Sequence, residues 1–409
     1  MTDDSRECRI CGGAVTEFFD FGRQPISDAF RTPGQTDEEY YFRLAVGCCD
    51  TCKMTQLTEE VPRERMFHQE YPYRTSESTS MSKHFQQVAR RFIETELIGP
   101  DPFVVEIGSN DGVMLRTISE AGIRHLGVDP SGGAAQLAEE ANVRVRVDFF
   151  EEASAVDIKA NDGQADVIFS ANTFSHIAYI DSILRGVAEL LAEDGVFVLE
   201  ERYLADILGT SAFDQIYDEH FYLFSVTAVR NLAERFGFEL VDVEHMPVHG
   251  GAIRYFLAFP GKRPVSPAVA EFLAEEDAAG LVEKSTFERF ATNVRRTRDE
   301  LMALLRDLRA EGRTVVGYGA TAKSATAINY CGITPELVPF TCDSTPSKQG
   351  KLMPGSHIPV RPPAAFGAPY PDYALLFAWN HAEEIMAKER AFRESGGKWI
   401  LYVPRVHVV

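Results

Sequence analysis

Apolar positions change their period along the chain, and the changes divide it into three. Residues 1 to about 70 carry short apolar runs such as Glu17-Phe18-Phe19-Asp20-Phe21, which predict a small strand-rich unit. Phe85, Val88, Phe92 and Ile93 share one face at helical spacing and predict a helix near 81–98. From 103 onward, strand-like runs alternate with helical ones, the pattern of a parallel sheet. Strands are predicted at 103–108, 125–129, 142–147, 166–170 and 195–200, followed by an antiparallel hairpin at 238–243 and 252–259. A polar stretch at 260–268 leads into a long helix over 285–311, with Phe287, Phe290, Val294, Leu301, Leu304, Leu305 and Leu308 on its apolar face. The alternation then restarts, with strands at 314–319, 339–343, 373–377 and 399–402. The predicted domains are therefore 1–70, 71–265 and 266–409, the long helix serving as the link.

The composition suits this picture: 409 residues leave room for two or three domains, and 45% are hydrophobic. The formal net charge of −20 argues against a nucleic-acid polymer as partner, which would need a basic surface. A small anionic substrate stays open, since a few local cations suffice for it. No apolar run approaches the roughly 18 residues of a membrane span, and the start MTDDSREC lacks the layout of a signal peptide. A cytoplasmic location is expected, with thiols reduced.

Five of the seven cysteines fall within the first 52 residues. Cys8-Arg-Ile-Cys11 and Cys49-Asp-Thr-Cys52 form two CxxC pairs, and four thiolates make a closed structural zinc site with no position left for substrate. Cys48 competes with Cys49 for a ligand position, but only Cys49 keeps the two-residue gap to Cys52. Cys331 and Cys342 read as small buried residues.

The chemistry concentrates at strand ends. Glu106-x-Gly108-x-x-Asp111-Gly112 joins the first strand of the middle unit to a helix, and its glycines permit a sharp bend and close approach of a ligand. Glu106 and Asp111 would repel a pyrophosphate but not a sulfonium with an amino-acid tail. Asp129 ends the second strand where two ribose hydroxyls can be held. Asp148 and Phe149 offer an acceptor and an aromatic wall for an adenine, and Asn172 follows the fourth strand. These features resemble the class I S-adenosylmethionine-dependent methyltransferases, in which the loop with Gly108 and Asn110 would hold the cofactor. A purely structural doubly wound domain and an NAD site are the alternatives.

The segment Tyr217-Asp-Glu-His220-Phe-Tyr222 packs carboxylates, an imidazole and two phenols together after the fifth strand. His176 lies after the fourth strand, and Glu70-Tyr71-Pro72-Tyr73-Arg74 precedes the sheet and suggests a lid carrying phenols. A neutral imidazole beside a carboxylate suits a general base, with Glu219 orienting His220. Downstream, Gly317-Tyr-Gly319-Ala-Thr-Ala-Lys323-Ser324 places free amides and a cation between a strand and a helix, a cradle for an anionic group. Lys348 and Lys351 follow the next strand, and His249-Gly250-Gly251 with Arg254 belongs to the same expected cleft. The bland reading of this segment is a nucleotide-type fold retained for shape.

The two CxxC pairs, Tyr71-Pro-Tyr73, Glu106-Ile-Gly-Ser-Asn-Asp111-Gly, Tyr217-Asp-Glu-His220-Phe-Tyr-Leu-Phe-Ser225, His249-Gly-Gly-Ala-Ile-Arg254 and Gly317-Tyr-Gly-Ala-Thr-Ala-Lys323-Ser occur together in this order. The whole chain thereby resembles the sugar C-methyltransferases that act on thymidine-diphosphate (dTDP) 4-keto-deoxysugars in antibiotic biosynthesis. The resemblance implies an α/β architecture: a class I, Rossmann-like methyltransferase sheet, flanked by an N-terminal zinc module and a C-terminal Rossmann-like domain. It implies S-adenosylmethionine as cofactor, one structural zinc ion, and active-site residues at Tyr71, His176, Tyr217, Glu219 and His220. Tyr73, Tyr222, Arg254, Gly319, Lys323, Ser324 and Lys348 would then meet the nucleotide sugar, and methylation would fall on C3. Methylation at C5, O- or N-methylation, and an NAD-linked sugar-nucleotide oxidoreductase are the competing activities. The modular layout would permit a monomer.

Overall fold

The computed structural model describes residues 6–66 and 74–409. Its strands, in chain order, begin with β1 (Arg6–Glu7), β2 (Ala14–Pro25), β3 (Tyr41–Cys49) and β4 (Thr55–Leu57). The middle of the chain contributes β5 (Phe103–Ile107), β6 (Arg124–Val128), β7 (Val145–Arg146), β8 (Ala165–Ala171) and β9 (Leu191–Arg202). It continues with β10 (Tyr222–Leu223), β11 (Glu239–Met246) and β12 (Ala252–Ala258). The last third adds β13 (Val315–Tyr318), β14 (Thr341–Cys342), β15 (Val360–Arg361), β16 (Tyr373–Leu376), β17 (Lys398–Leu401) and β18 (His407–Val408).

These strands form three sheets. The central one has the order β11-β12-β9-β8-β5-β6-β7. Its β5 to β9 run parallel, and β12 and β11 close it as an antiparallel hairpin. Strand β5 is buried along its whole length, because helices cover both faces of a parallel sheet. One such helix, Thr79–Thr95, is started by the Ser78 hydroxyl accepting from the Met81 amide, and buries Met81, His84, Phe85, Val88, Ala89 and Phe92. The C-terminal sheet, β15-β14-β13-β16-β17-β18, is parallel except for β18.

The N-terminal sheet, β1-β2-β3-β4-β10, takes its last strand from far downstream. Tyr222 pairs with Gln56 and Leu223 with Thr55, so the segment after the expected catalytic residues is hydrogen-bonded into the cysteine-bearing unit. The expected third strand of the central sheet, 142–147, shortens to two residues, and Asn142 takes a left-handed conformation (φ 61°) in the turn after the preceding helix. The long helix spans Lys284–Ala310 and does more than link: Phe287 stacks on Phe18 at 4.2 Å between ring centroids, and Phe290 meets Phe19 edge-on at 6.2 Å. Among the described residues no helix is long and apolar enough to cross a membrane.

Candidate active site

The C-terminal ends of β5, β6, β8 and β9 open onto one cavity of about 630 Å³, the edge at which open parallel sheets bind ligands. All three sheets contribute to its wall. The N-terminal unit supplies Asp28, Arg63 and Met66; the central sheet supplies the glycine loop, Asp129, Phe149, Asn172, His176, Arg202, Tyr217 and Glu219; the C-terminal unit supplies Gly319, Lys323, Thr345 and Lys348.

At one end stands the loop after β5. Gly108 has φ 74°, and a Cβ there would lie 2.1 Å from Thr173 Oγ1, so only glycine fits. The Asn110 amide donates to Asp129 Oδ2 and the Ser131 amide to Asp129 Oδ1, both at 2.8 Å, which fixes the Asp129 carboxylate at the cavity edge. Glu106 is buried, and its Oε2 has no hydrogen-bond partner. Burial raises its pKa well above the carboxylate range, and the Asp129 and Asp111 charges push it further. Such a cluster disfavours an incoming anion and favours a cation, and the aromatic face of Phe149 lies on the same wall. Its donor set therefore fits S-adenosylmethionine, which carries a sulfonium, an ammonium, a ribose and an adenine.

At the centre, His220 Nδ1 lies 2.5 Å from the Gln215 carbonyl oxygen. A carbonyl can only accept, so Nδ1 carries the proton and Nε2 presents its lone pair. Nε2 is buried and unpartnered. The ring lies tilted against Tyr217, with centroids 3.9 Å apart and 44° between the planes, and stacks on His176 at 5.4 Å. His220 lies just behind these two wall residues, with 1% of its surface exposed. Burial and the nearby Arg202 charge hold its pKa well below the ordinary value, and the same causes take His176 down to about 3. Burial raises the Tyr217 pKa, so its phenol stays protonated. The centre thus combines a neutral imidazole with a phenol donor, and Glu219 is buried on the adjoining wall.

At the far end, Lys323 donates to Asn380 Oδ1 and sits 4.1 Å from the centroid of the Trp379 ring. Burial lowers its pKa to about 8, offset by the Asp214 charge. Asp214 itself accepts from Trp379 Nε1 (2.8 Å) and the Tyr402 hydroxyl (2.6 Å). Lys348 pairs with Asp28 at 3.3 Å and donates to the Ala320 carbonyl at 3.0 Å.

Several expected residues stand elsewhere. Asp148 is off the wall and pairs with Arg146 at 3.1 Å. Asp111 turns from the cavity, and its Oδ2 accepts from the Ser76 amide at 3.1 Å. Tyr222 is in the N-terminal sheet with its hydroxyl on the Ala178 carbonyl. Arg254 is committed to Glu200 by two hydrogen bonds, of 3.0 and 2.8 Å. Ser324 donates to the Thr321 carbonyl within its own helix start. Each is held by a partner within the protein. Tyr71 and Tyr73 lie outside the described residues. Arg202, Asp28, Arg63 and Trp379 were not anticipated; Arg202 alone carried a signal, as a cation two residues past the end of a predicted strand.

The Sγ atoms of Cys8, Cys11, Cys49 and Cys52 all lie within 4.8 Å of one another. The Cys8–Cys52 separation is 3.6 Å and Cys11–Cys49 is 3.4 Å. A tetrahedron with zinc–sulfur bonds of about 2.3 Å has edges of about 3.8 Å, so this donor set fits zinc. Amides of Ile10, Gly13 and Cys52 each approach a Sγ at 3.4 Å. Cys48 stands apart, its Sγ near the Lys53 carbonyl, and burial pushes its thiol up to about 11.

Family models match the chain in three consecutive stretches. Residues 8–67 match a zinc binding domain, 81–243 a methyltransferase domain, and 247–404 a C-methyltransferase C-terminal domain. C-methyltransferase NovU of Streptomyces niveus is 36% identical over 408 residues, covering 98% of this chain and 96% of that one. A methyltransferase structure from Anabaena variabilis is 18% identical over 42% of this chain and 84% of that one, with a TM-score of 0.35. Magnesium protoporphyrin IX methyltransferase of Synechocystis, with bound SAH, is 13% identical over 44% and 83%, with a TM-score of 0.33. Full-length similarity and three matching models in this order leave one assignment: the chain belongs to the S-adenosylmethionine-dependent C-methyltransferases, with a zinc-binding N-terminal module.

Proposed function

We propose that this enzyme removes a proton next to the C4 ketone of a dTDP-4-keto-deoxysugar, at C3, and methylates the carbon of the resulting enolate. The observation that carries the reading is His220, whose proton is fixed on Nδ1 by the Gln215 carbonyl while Nε2 is unpartnered beside Tyr217. A C-methyltransferase must make a carbon nucleophile, and a C–H bond needs both a base and a site for the charge it leaves behind. Nε2 takes the proton, the Gln215 carbonyl orients the imidazole in the place expected of Glu219, and the Tyr217 phenol and His176 attend the ketone oxygen. Tyr71, from the family resemblance, joins them.

S-adenosylmethionine supplies the electrophilic methyl group when bound. Glu106, Gly108, Asn110 and Asp129 line the end that would hold it, and Phe149 and Asn172, on the same wall, would serve its adenine and its methyl-bearing end. Lys323, Gly319 and Lys348 lie toward the opposite end, where they would meet the diphosphate. Lys323 has the better claim, because Lys348 is already paired with Asp28.

The test is incubation with S-adenosylmethionine and a panel of dTDP-4-keto sugars in deuterated buffer. Deuterium entering C3 and a methyl group on the same carbon are the expected results. Exchange at C5 alone would move the reaction to that carbon, and methyl transfer to oxygen or nitrogen without exchange would overturn the enolate.

A further inference from the structure

Strand β9 ends at Arg202, whose backbone pairs with Ala252 of β12, so the side chain emerges at the ligand edge of the central sheet. It lines the cavity, with Nε and Nη1 both buried and without hydrogen-bond partners. A guanidinium stays charged and offers donors in a fixed planar fork, so unmet donors inside a cavity call for an oxygen from a ligand. The cations at the far end stand apart from this group: Lys348 is paired with Asp28, and Lys323 donates to Asn380 over the Trp379 ring. Arg202 belongs to the central group instead: its charge bears on His176, His220, His249 and Tyr217 alike.

We propose that Arg202 is a catalytic residue that receives the ketone oxygen of the substrate and holds the negative charge formed there when the adjacent carbon is deprotonated. The proposal rests on the enolate reading above. As the C–H bond breaks, its electron pair becomes the carbon–carbon π bond, the carbonyl π pair moves onto oxygen, and the proton passes to His220 Nε2. Phenol and imidazole donors soften that oxygen's charge; a fixed cation opposes it directly and needs no reorganisation when the charge appears. The same cation keeps neighbouring imidazoles neutral, which preserves the lone pair of the base. A diphosphate is the other anion that could meet these donors, and the experiment separates the two.

Arg202→Met and Arg202→Lys are compared with the wild type in two measurements. One is deuterium exchange into the keto sugar at saturating concentration with S-adenosylhomocysteine bound; the other is the affinity for dTDP alone. Arg202→Met is expected to slow exchange at least 100-fold while dTDP affinity stays within threefold, and Arg202→Lys to recover at least tenfold of the loss. Exchange within threefold of wild type in Arg202→Met overturns the proposal, and so does a parallel fall in dTDP affinity, which would assign the guanidinium to the diphosphate. If Arg202→Met does not fold, an Arg202→Lys exchange rate equal to wild type with dTDP affinity reduced overturns it, and a slowed rate with dTDP affinity intact supports it. A wild-type enzyme that exchanges deuterium with no member of the panel brings down the enolate reading itself, and this proposal with it.

Discussion

Gln56 faces Tyr222 across the antiparallel pair of β4 and β10, and its Nε2 donates to Cys8 Sγ at 3.0 Å. The cysteine cluster is thus two residues' reach from the segment carrying Tyr217, Glu219 and His220. The Leu57 amide on the Phe221 carbonyl (2.8 Å) and the Ser27 amide on Asp218 Oδ1 (2.9 Å) add to the attachment. Structural zinc binding contributes on the order of 10 kcal/mol to small folds. Removing it should therefore release this segment before it unfolds the central sheet. With a strong chelator, hydrogen exchange at the amides of Leu57 and Leu223 should accelerate at least tenfold while that of Val105 in β5 changes little, and turnover should fall in step. Complete zinc loss with unchanged exchange at Leu57 and Leu223 would show that the metal does not position the catalytic segment.

Gly108→Ala should separate cofactor binding from folding. The left-handed backbone costs an L-residue about 1–2 kcal/mol, and the new methyl meets the Thr173 side chain. The loop must shift, and with it the neighbouring Asn110 amide that orients Asp129. Calorimetry with S-adenosylhomocysteine should show affinity at least tenfold weaker, with far-ultraviolet circular dichroism unchanged. Affinity within twofold of wild type would mean that the loop is not the cofactor's cradle.

The residues that were legible in the sequence are those whose chemistry is local. Glu106, Gly108 and Asp129 follow directly from strand runs ending in acids and glycine, because strand, turn and helix succeed one another within a few positions. The paired CxxC spacing likewise encodes its own turn geometry. Tyr222 and Arg254 were misplaced because their partners are remote: Tyr222 is drawn to β4 in another sheet, and Arg254 to Glu200 on the adjacent strand. Nothing near either residue reports those partners. Arg202 shows the converse, a cation whose meaning comes from what it does not pair with.

Asp28 and Lys348 tie the N-terminal unit to the C-terminal one across the cavity wall, with side chains only 11% and 12% exposed. Removing Asp28 takes the direct partner from a nearly buried ammonium and leaves only the Asp343 and Glu219 charges acting on it, which costs up to about 3–5 kcal/mol. Asp28→Asn should thus lower the unfolding free energy by about that amount in urea titration, whereas Asp28→Leu combined with Lys348→Met should cost less than Asp28→Asn alone. A double variant at least as destabilised as the single one would show that packing or other contacts, rather than the lone charge, dominate.

His176 makes a signed prediction about acid. Its pKa is near 3 in the folded chain, through burial and the Arg202 charge, against about 6.5 when unfolded. Between those values the unfolded chain binds the extra proton, so this residue's contribution to stability is fully present above pH 6.5 and is lost progressively down to about pH 3, at about 1.4 kcal/mol per pH unit. Glu201, pushed up to about 7 by burial, acts in the opposite sense, so total stability does not isolate the effect. The difference between wild type and His176→Gln does. Unfolding free energies measured by urea at pH 7.5, 6 and 5 should show the variant losing less stability on acidification, the gap widening by about 1 kcal/mol per pH unit below pH 6.5. Parallel curves would mean that His176 takes up its proton in the folded state as readily as in the unfolded one, and that the cavity does not hold it neutral.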